Sequence, residues 1–137
     1  MSWDIVVQDI PADARAVDDI PDDFEPRALG TRSDLLSRIM EVVPNVDFSN
    51  PAWGVVESPE LSVEFNMGED EEVMSFALHV RGGEAAAGLV ADLLNRCGWR
   101  AFDPSSDTGL FEASGAVESL RKWQAYRDRL SDRGSAV

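Results

Sequence analysis

Two short runs of strict alternation constrain this chain more than any other feature. Leu61, Val63, Phe65 and Met67 alternate with Ser62, Glu64 and Asn66; Met74, Phe76, Leu78 and Val80 alternate with Ser75, Ala77, His79 and Arg81. Successive side chains of an extended strand point to opposite faces, so each run has one apolar and one polar face. The stretch Gly68-Glu69-Asp70-Glu71 between them suits a turn, which makes the pair an antiparallel hairpin with one face to bury and one to leave wet. A turn centred on Glu69-Asp70 sets Glu64 opposite Ser75 and Glu60 opposite His79.

The remaining segments supply cover for the apolar face. Residues 3–10, with Ile5-Val6-Val7, read as a first strand closed by Pro11, and residues 53–57 as another, set off by Pro59. Thr31 offers an N-cap with Asp34 three residues on, and Leu35, Leu36, Ile39, Met40 and Val43 follow at helical spacing. That predicts a helix over 33–43, then a turn-rich connector over 44–51. A second helix over 84–97 buries Leu89, Val90, Leu93, Leu94 and Cys97, with Gly98 placed for a left-handed C-cap. Residues 99–102 and 110–111 suit a shorter hairpin. A last helix over 115–130 carries Val117, Leu120, Trp123, Tyr126 and Leu130 on one stripe, and 131–137 reads as a fraying tail. Sequential hairpins interrupted by helices predict an α+β fold. Its mainly antiparallel sheet has about five to six strands with about three helices packed on it, in one domain over 1–137.

Charge narrows the function classes. With 26 acidic against 12 basic residues the formal charge is −14, which opposes contact with nucleic acid or an anionic membrane. The acids are unevenly spread. Residues 1–30 hold eight acids and two bases, whereas 113–137 hold three acids and five bases. Pro11, Pro21 and Pro26 break up a stretch containing Asp18, Asp19, Asp22, Asp23 and Glu25, so 11–30 reads as a long acidic loop, and loops of this length tend to be functional or mobile. Like charges in loops keep a small protein soluble. The same charges can also steer a basic partner, with Asp18, Asp19, Asp22, Asp23, Glu25, Glu69, Asp70 and Glu71 as the contact residues. Self-association through the basic last helix is the other partner expected on this physics.

One histidine and one cysteine rule out an internal disulfide, a CxxC pair and the usual zinc sites. The loop acids lack the ligand spacing of an EF-hand, so neither metal nor cofactor is expected. The first residues lack a basic region followed by an apolar one, and apolar runs fall far short of the ~20 residues that span a bilayer, so a cytoplasmic location is expected.

The polar face of the hairpin carries the candidates for chemistry. Glu64, His79 and Arg81 are the residue types of general acid–base catalysis, and a small enzyme or ligand-binding domain built on them is the alternative to a non-catalytic interaction module. The same residues also make ordinary cross-strand pairs on a wet face. Cys97, on a buried stripe near a helix C-terminus, reads as inert core. Trp3, Trp53 and Trp99 sit at strand starts, where large rings cover core edges.

Taken together, Trp3-Asp4-Ile5, Asp9-Ile10-Pro11, Asp47-Phe48-Ser49, Trp53-Gly54, Val63-Glu64-Phe65-Asn66, Leu78-His79-Val80-Arg81-Gly82-Gly83 and Gly98-Trp99-Arg100-Ala101 resemble a group of small acidic bacterial proteins. The resemblance spans most of the chain and implies a single bacterial domain; it transfers no catalytic residue. In size and acidity the chain is also similar to immunity proteins of bacterial toxin systems.

Overall fold

The computed structural model describes residues 2–112 and 116–135. In chain order the elements are β1 (Trp3–Gln8), β2 (Gly30–Thr31), α1 (Arg32–Val42), β3 (Asp47–Asn50), β4 (Trp53–Glu57), β5 (Leu61–Asn66), β6 (Glu72–Val73), β7 (Ser75–Gly82), α2 (Glu84–Cys97), β8 (Ala101–Phe102) and α3 (Ala116–Ser135), with a 3-10 turn at Val17–Asp19. Six strands form one sheet in the order β3-β4-β5-β7-β1-β8, and β2 pairs with β6 in a separate ribbon. Every pairing is antiparallel, so the fold is α+β.

Alternation decides which face is buried. Trp3, Ile5 and Val7 of β1, Val56 of β4, Val63 and Phe65 of β5, and Phe76, Leu78 and Val80 of β7 are all buried in one cluster. Leu35, Leu36 and Ile39 of α1 and Val90, Leu93 and Leu94 of α2 complete that cluster, and Leu120 and Trp123 join it from α3. The helices therefore cover one face. Gly98 ends α2 at φ 69° and ψ 27°, with Trp99 N donating to Leu94 O at 3.0 Å, a left-handed cap that glycine enters without steric cost.

The hairpin register differs from the one a tight turn predicts. Glu64 faces His79 and Asn66 faces Ala77, while Ser75 pairs with Gln8 of β1. The connection is longer than Gly68–Glu71 because its end leaves the sheet: Glu72–Val73 becomes β6 and pairs with Gly30–Thr31. The displacement from Ser75 to His79 is an even number of residues, so Phe76, Leu78 and Val80 keep their face while the polar pairs change; Met74, expected beside them, precedes β7 and is exposed.

Three further segments depart from expectation. The connector after α1 contains β3, where Phe48 packs over Gly54 and sits 5.8 Å from the Phe65 ring. A Cβ on Gly54 would lie 2.2 Å from the Phe48 ring, so the glycine makes room for the edge strand. The expected hairpin after α2 reduces to a single bridge, Phe102 to Leu110, because β8 joins the main sheet beside β1. Helix α3 runs to Ser135, past the stop expected at Leu130; its expected start at Gly115 and residues 136–137 lie outside the described residues.

Candidate interaction surface

The face opposite the helices can be read directly from the register. One row crosses five strands as Asp47, Val55, Glu64, His79 and Asp4. The next runs Asn50, Trp53, Asn66, Ala77, Val6 and Phe102. At the β8 end Phe102 packs against a second small cluster of Ile10, Ala14 and Leu110, joined by Ile20 of the acidic loop.

The three residues expected to carry chemistry share this face. His79 Nδ1 lies 2.8 Å from Asp4 Oδ1, and Arg81 Nη1 lies 3.5 Å from Glu64 Oε1. The His79 ring stacks on Trp53 at 5.6 Å between centroids and 21° between planes. Trp53 is 37% exposed, unlike Trp3, Trp99 and Trp123, which are core as expected. A ring at a strand start suits a core edge or an open face equally, and only the strand's register tells which. At the sheet edge, Ser49 donates to Asp47 Oδ1 from Oγ at 2.6 Å and from N at 2.8 Å, and these bonds hold the Asp47 carboxyl below the usual carboxylate range.

The acidic residues are exposed, while the segments that carry them are held to the rest of the fold at several places. Val17 N donates to Thr108 O at 2.9 Å, tying the Asp18–Asp19 end of the loop to the segment beyond β8. The other end meets the acidic turn: Leu29 N donates to Val73 O at 2.8 Å, Arg32 N to Glu71 O at 2.7 Å and Arg32 Nη1 to Gly68 O at 3.0 Å. At the start of the loop Arg100 donates to the carbonyls of Pro11 and Ala14, and Asp9 Oδ2 accepts from Arg27 N at 2.9 Å. The loop is thus strapped down through its backbone, by Arg100 and Asp9 as well as by main-chain bonds; Asp19 Oδ2 also accepts from Arg15 N and Ala16 N, and Asp18, Asp19, Asp22, Asp23 and Glu25 all remain exposed. A cavity of about 570 Å³ lies beside the turn and is lined by Arg32, Ser33, Leu36, Pro51, Glu69 and Glu71.

None of Asp18, Asp19, Asp22, Asp23, Glu25, Glu69, Asp70 and Glu71 makes an ion pair among the described residues. Three cations of α3 are engaged elsewhere: Arg121 with Glu84, Lys122 with Asp107, and Arg127 with Asp128 and the Trp123 ring.

Two interior features carry no chemistry the sequence suggested. Asp103 is fully buried; its Oδ1 accepts from Trp3 Nε1 at 3.0 Å and from Ser105 N at 2.9 Å, and its Oδ2 has no partner among the described residues. No local pattern marks it, because Trp3 lies 100 residues away. Cys97 is buried as expected, and desolvation pushes its thiol pKa up, with Arg38 pulling it down and Glu41 adding to the rise. Among the described residues no three His, Cys, Asp or Glu side chains are grouped to hold a metal, and no helix is long and apolar enough to cross a membrane. The chain matches no protein-family model, no curated protein and no solved structure.

Proposed function

We propose that this protein is a non-catalytic interaction module that binds a basic protein, in the manner of an immunity protein or inhibitor. The observation that carries this reading is the set of eight exposed loop and turn carboxylates that make no ion pair within the described residues, in a protein of charge −14. Unneutralised charge of one sign accelerates encounter with an oppositely charged surface and penalises like-charged competitors. A soluble acidic domain working inside the cell fits that role.

Capture from a lysate of the source organism, eluted by a salt gradient, tests it. A basic protein should elute early in the gradient, and a variant with Asp18, Asp19, Asp22 and Asp23 changed to Asn should bind it more weakly. Unchanged binding by that variant removes the loop from the interface; recovery of no basic protein removes the reading.

A second reading rests on the Asp4–His79 contact at 2.8 Å, with Glu64 and Arg81 on the same face. A carboxylate on Nδ1 fixes the imidazole tautomer and leaves Nε2 to exchange protons, which is the arrangement of a general base. Hydrolytic activity lost in His79→Gln would favour this reading over the first.

A further inference from the structure

We infer that the open sheet face centred on Trp53 is the docking surface for the basic partner, and that it seats an arginine side chain against the exposed indole. This rests on the interaction reading above and locates its centre away from the acidic loop.

The face has the makeup of a binding hot spot. Its apolar middle is two pairs, Trp53 and Val55 on β4 and Ala77 and Val6 on β7 and β1, with Asn66 and Glu64 of β5 between them. Asp47, Glu57 and Asp4 stand around these pairs and Glu64 between them; Glu64 already engages Arg81 and Asp4 already meets His79, which leaves Asp47 and Glu57 as the carboxylates without a cationic partner among the described residues. Interfaces draw most of their energy from a few aromatic or arginine anchors inside a polar rim, and tryptophan is enriched among them. The imidazole stacked on Trp53 limits the motion of the indole, so less side-chain entropy remains to be lost on binding. A guanidinium fits this setting because it stacks on an indole and pairs with carboxylates in the same plane.

Charge selects the occupant. A second copy meeting this face through its own would set two acidic rims against each other. The α3 of a second copy is a weaker candidate, since Arg121, Lys122 and Arg127 pair within their own chain and only part of its basic charge is left to offer. A distinct basic protein, with cations not already paired, suits the acidic rim better.

The test is an NMR titration of the whole protein with a tri-arginine peptide and its tri-citrulline counterpart, which has nearly the same shape without the charge. The arginine peptide should shift the Trp53 indole N–H and the amides of Val55, Glu64 and His79, and the citrulline peptide should not. Trp53→Ala should weaken the arginine response by about tenfold, the scale of removing one cation–π interaction together with its packing. Asp47→Asn/Glu57→Gln should weaken it as well, with no change to the apolar middle. Shifts confined to the acidic loop and turn would overturn the docking face and leave acidic recognition standing. Equal binding of the citrulline peptide would overturn both. A dimer in light scattering that Trp53→Ala dissolves would assign the face to self-association and overturn the proposal.

Discussion

Glu64 stands directly across the β5–β7 ladder from His79, yet each finds its polar partner elsewhere: Glu64 on the diagonal at Arg81, 3.5 Å away, and His79 at Asp4, 2.8 Å away on the next strand. Two parallel pairs therefore cross the open face where a compact catalytic cluster would need the three groups to converge. Asp4, contributed by the first strand, completes the arrangement because β1 lies beside β7 in the sheet.

The Glu64–Arg81 pair should matter little to stability. Its side chains are 28% and 48% exposed, and exposed ion pairs contribute roughly 0–1 kcal/mol. Denaturant unfolding of Glu64→Gln, Arg81→Ala and the double variant should give a coupling within that range and smaller at high salt. A coupling of several kcal/mol would show a pair far more desolvated than its exposure indicates.

Asp103 should tolerate an amide better than a methyl group. Asp103→Ala strands the buried Trp3 indole N–H and the Ser105 amide, a loss of about 2–3 kcal/mol. Asp103→Asn keeps the oxygen that accepts both bonds, so it should cost less. Urea midpoints of the two variants decide the matter; equal losses would show that the second carboxylate oxygen matters as much as the first.

Arg38 should couple α1 to the end of α2. Its guanidinium donates to Cys97 O and lies 4.9 Å from the centroid of the Trp99 ring, which itself meets Phe76 edge-on at 5.3 Å. Removing a carbonyl bond at a helix C-terminus together with a cation–π interaction should cost about 1–3 kcal/mol in Arg38→Ala. Arg38→Lys should recover only part of it, since an ammonium cannot stack as a plane. Thermal unfolding of the two variants measures the difference.

Cys97 makes stability pH-dependent on the alkaline side. Burial raises the folded thiol pKa above the unfolded value of about 8.5, so above that pH the unfolded chain gives up its proton first. The contribution is fully present below the unfolded pKa and is lost as pH rises through the folded one. Denaturant midpoints of the native protein should fall over that window more than those of Cys97→Ala. The native thiol should also react with a disulfide reagent near pH 8 more slowly than in the unfolded chain.

Much of the architecture was legible because it depends on local periodicity. Alternation at period two marked β5 and β7 and their apolar faces, and helical spacing marked α1 and α2 with the Gly98 cap. Strand β3 was hidden, since Asp47 to Asn50 alone reads as a turn and becomes a strand only because Phe48 can pack over Gly54. Of the candidate site, the exposure of the acidic loop and turn and the shared face of Glu64, His79 and Arg81 were legible from charge runs and strand parity. Asp4 and Trp53 as neighbours of His79 were not, because they come from strands distant in sequence.

The chain by itself determined which side of each strand is buried and where the negative charge accumulates, because both follow from the order of residues along a few turns or pleats. The tertiary structure alone decided which polar groups meet. A ribbon between Gly30–Thr31 and Glu72–Val73 lengthened the hairpin connection and moved the register by an even step, which leaves the apolar face unaltered and replaces every polar neighbour.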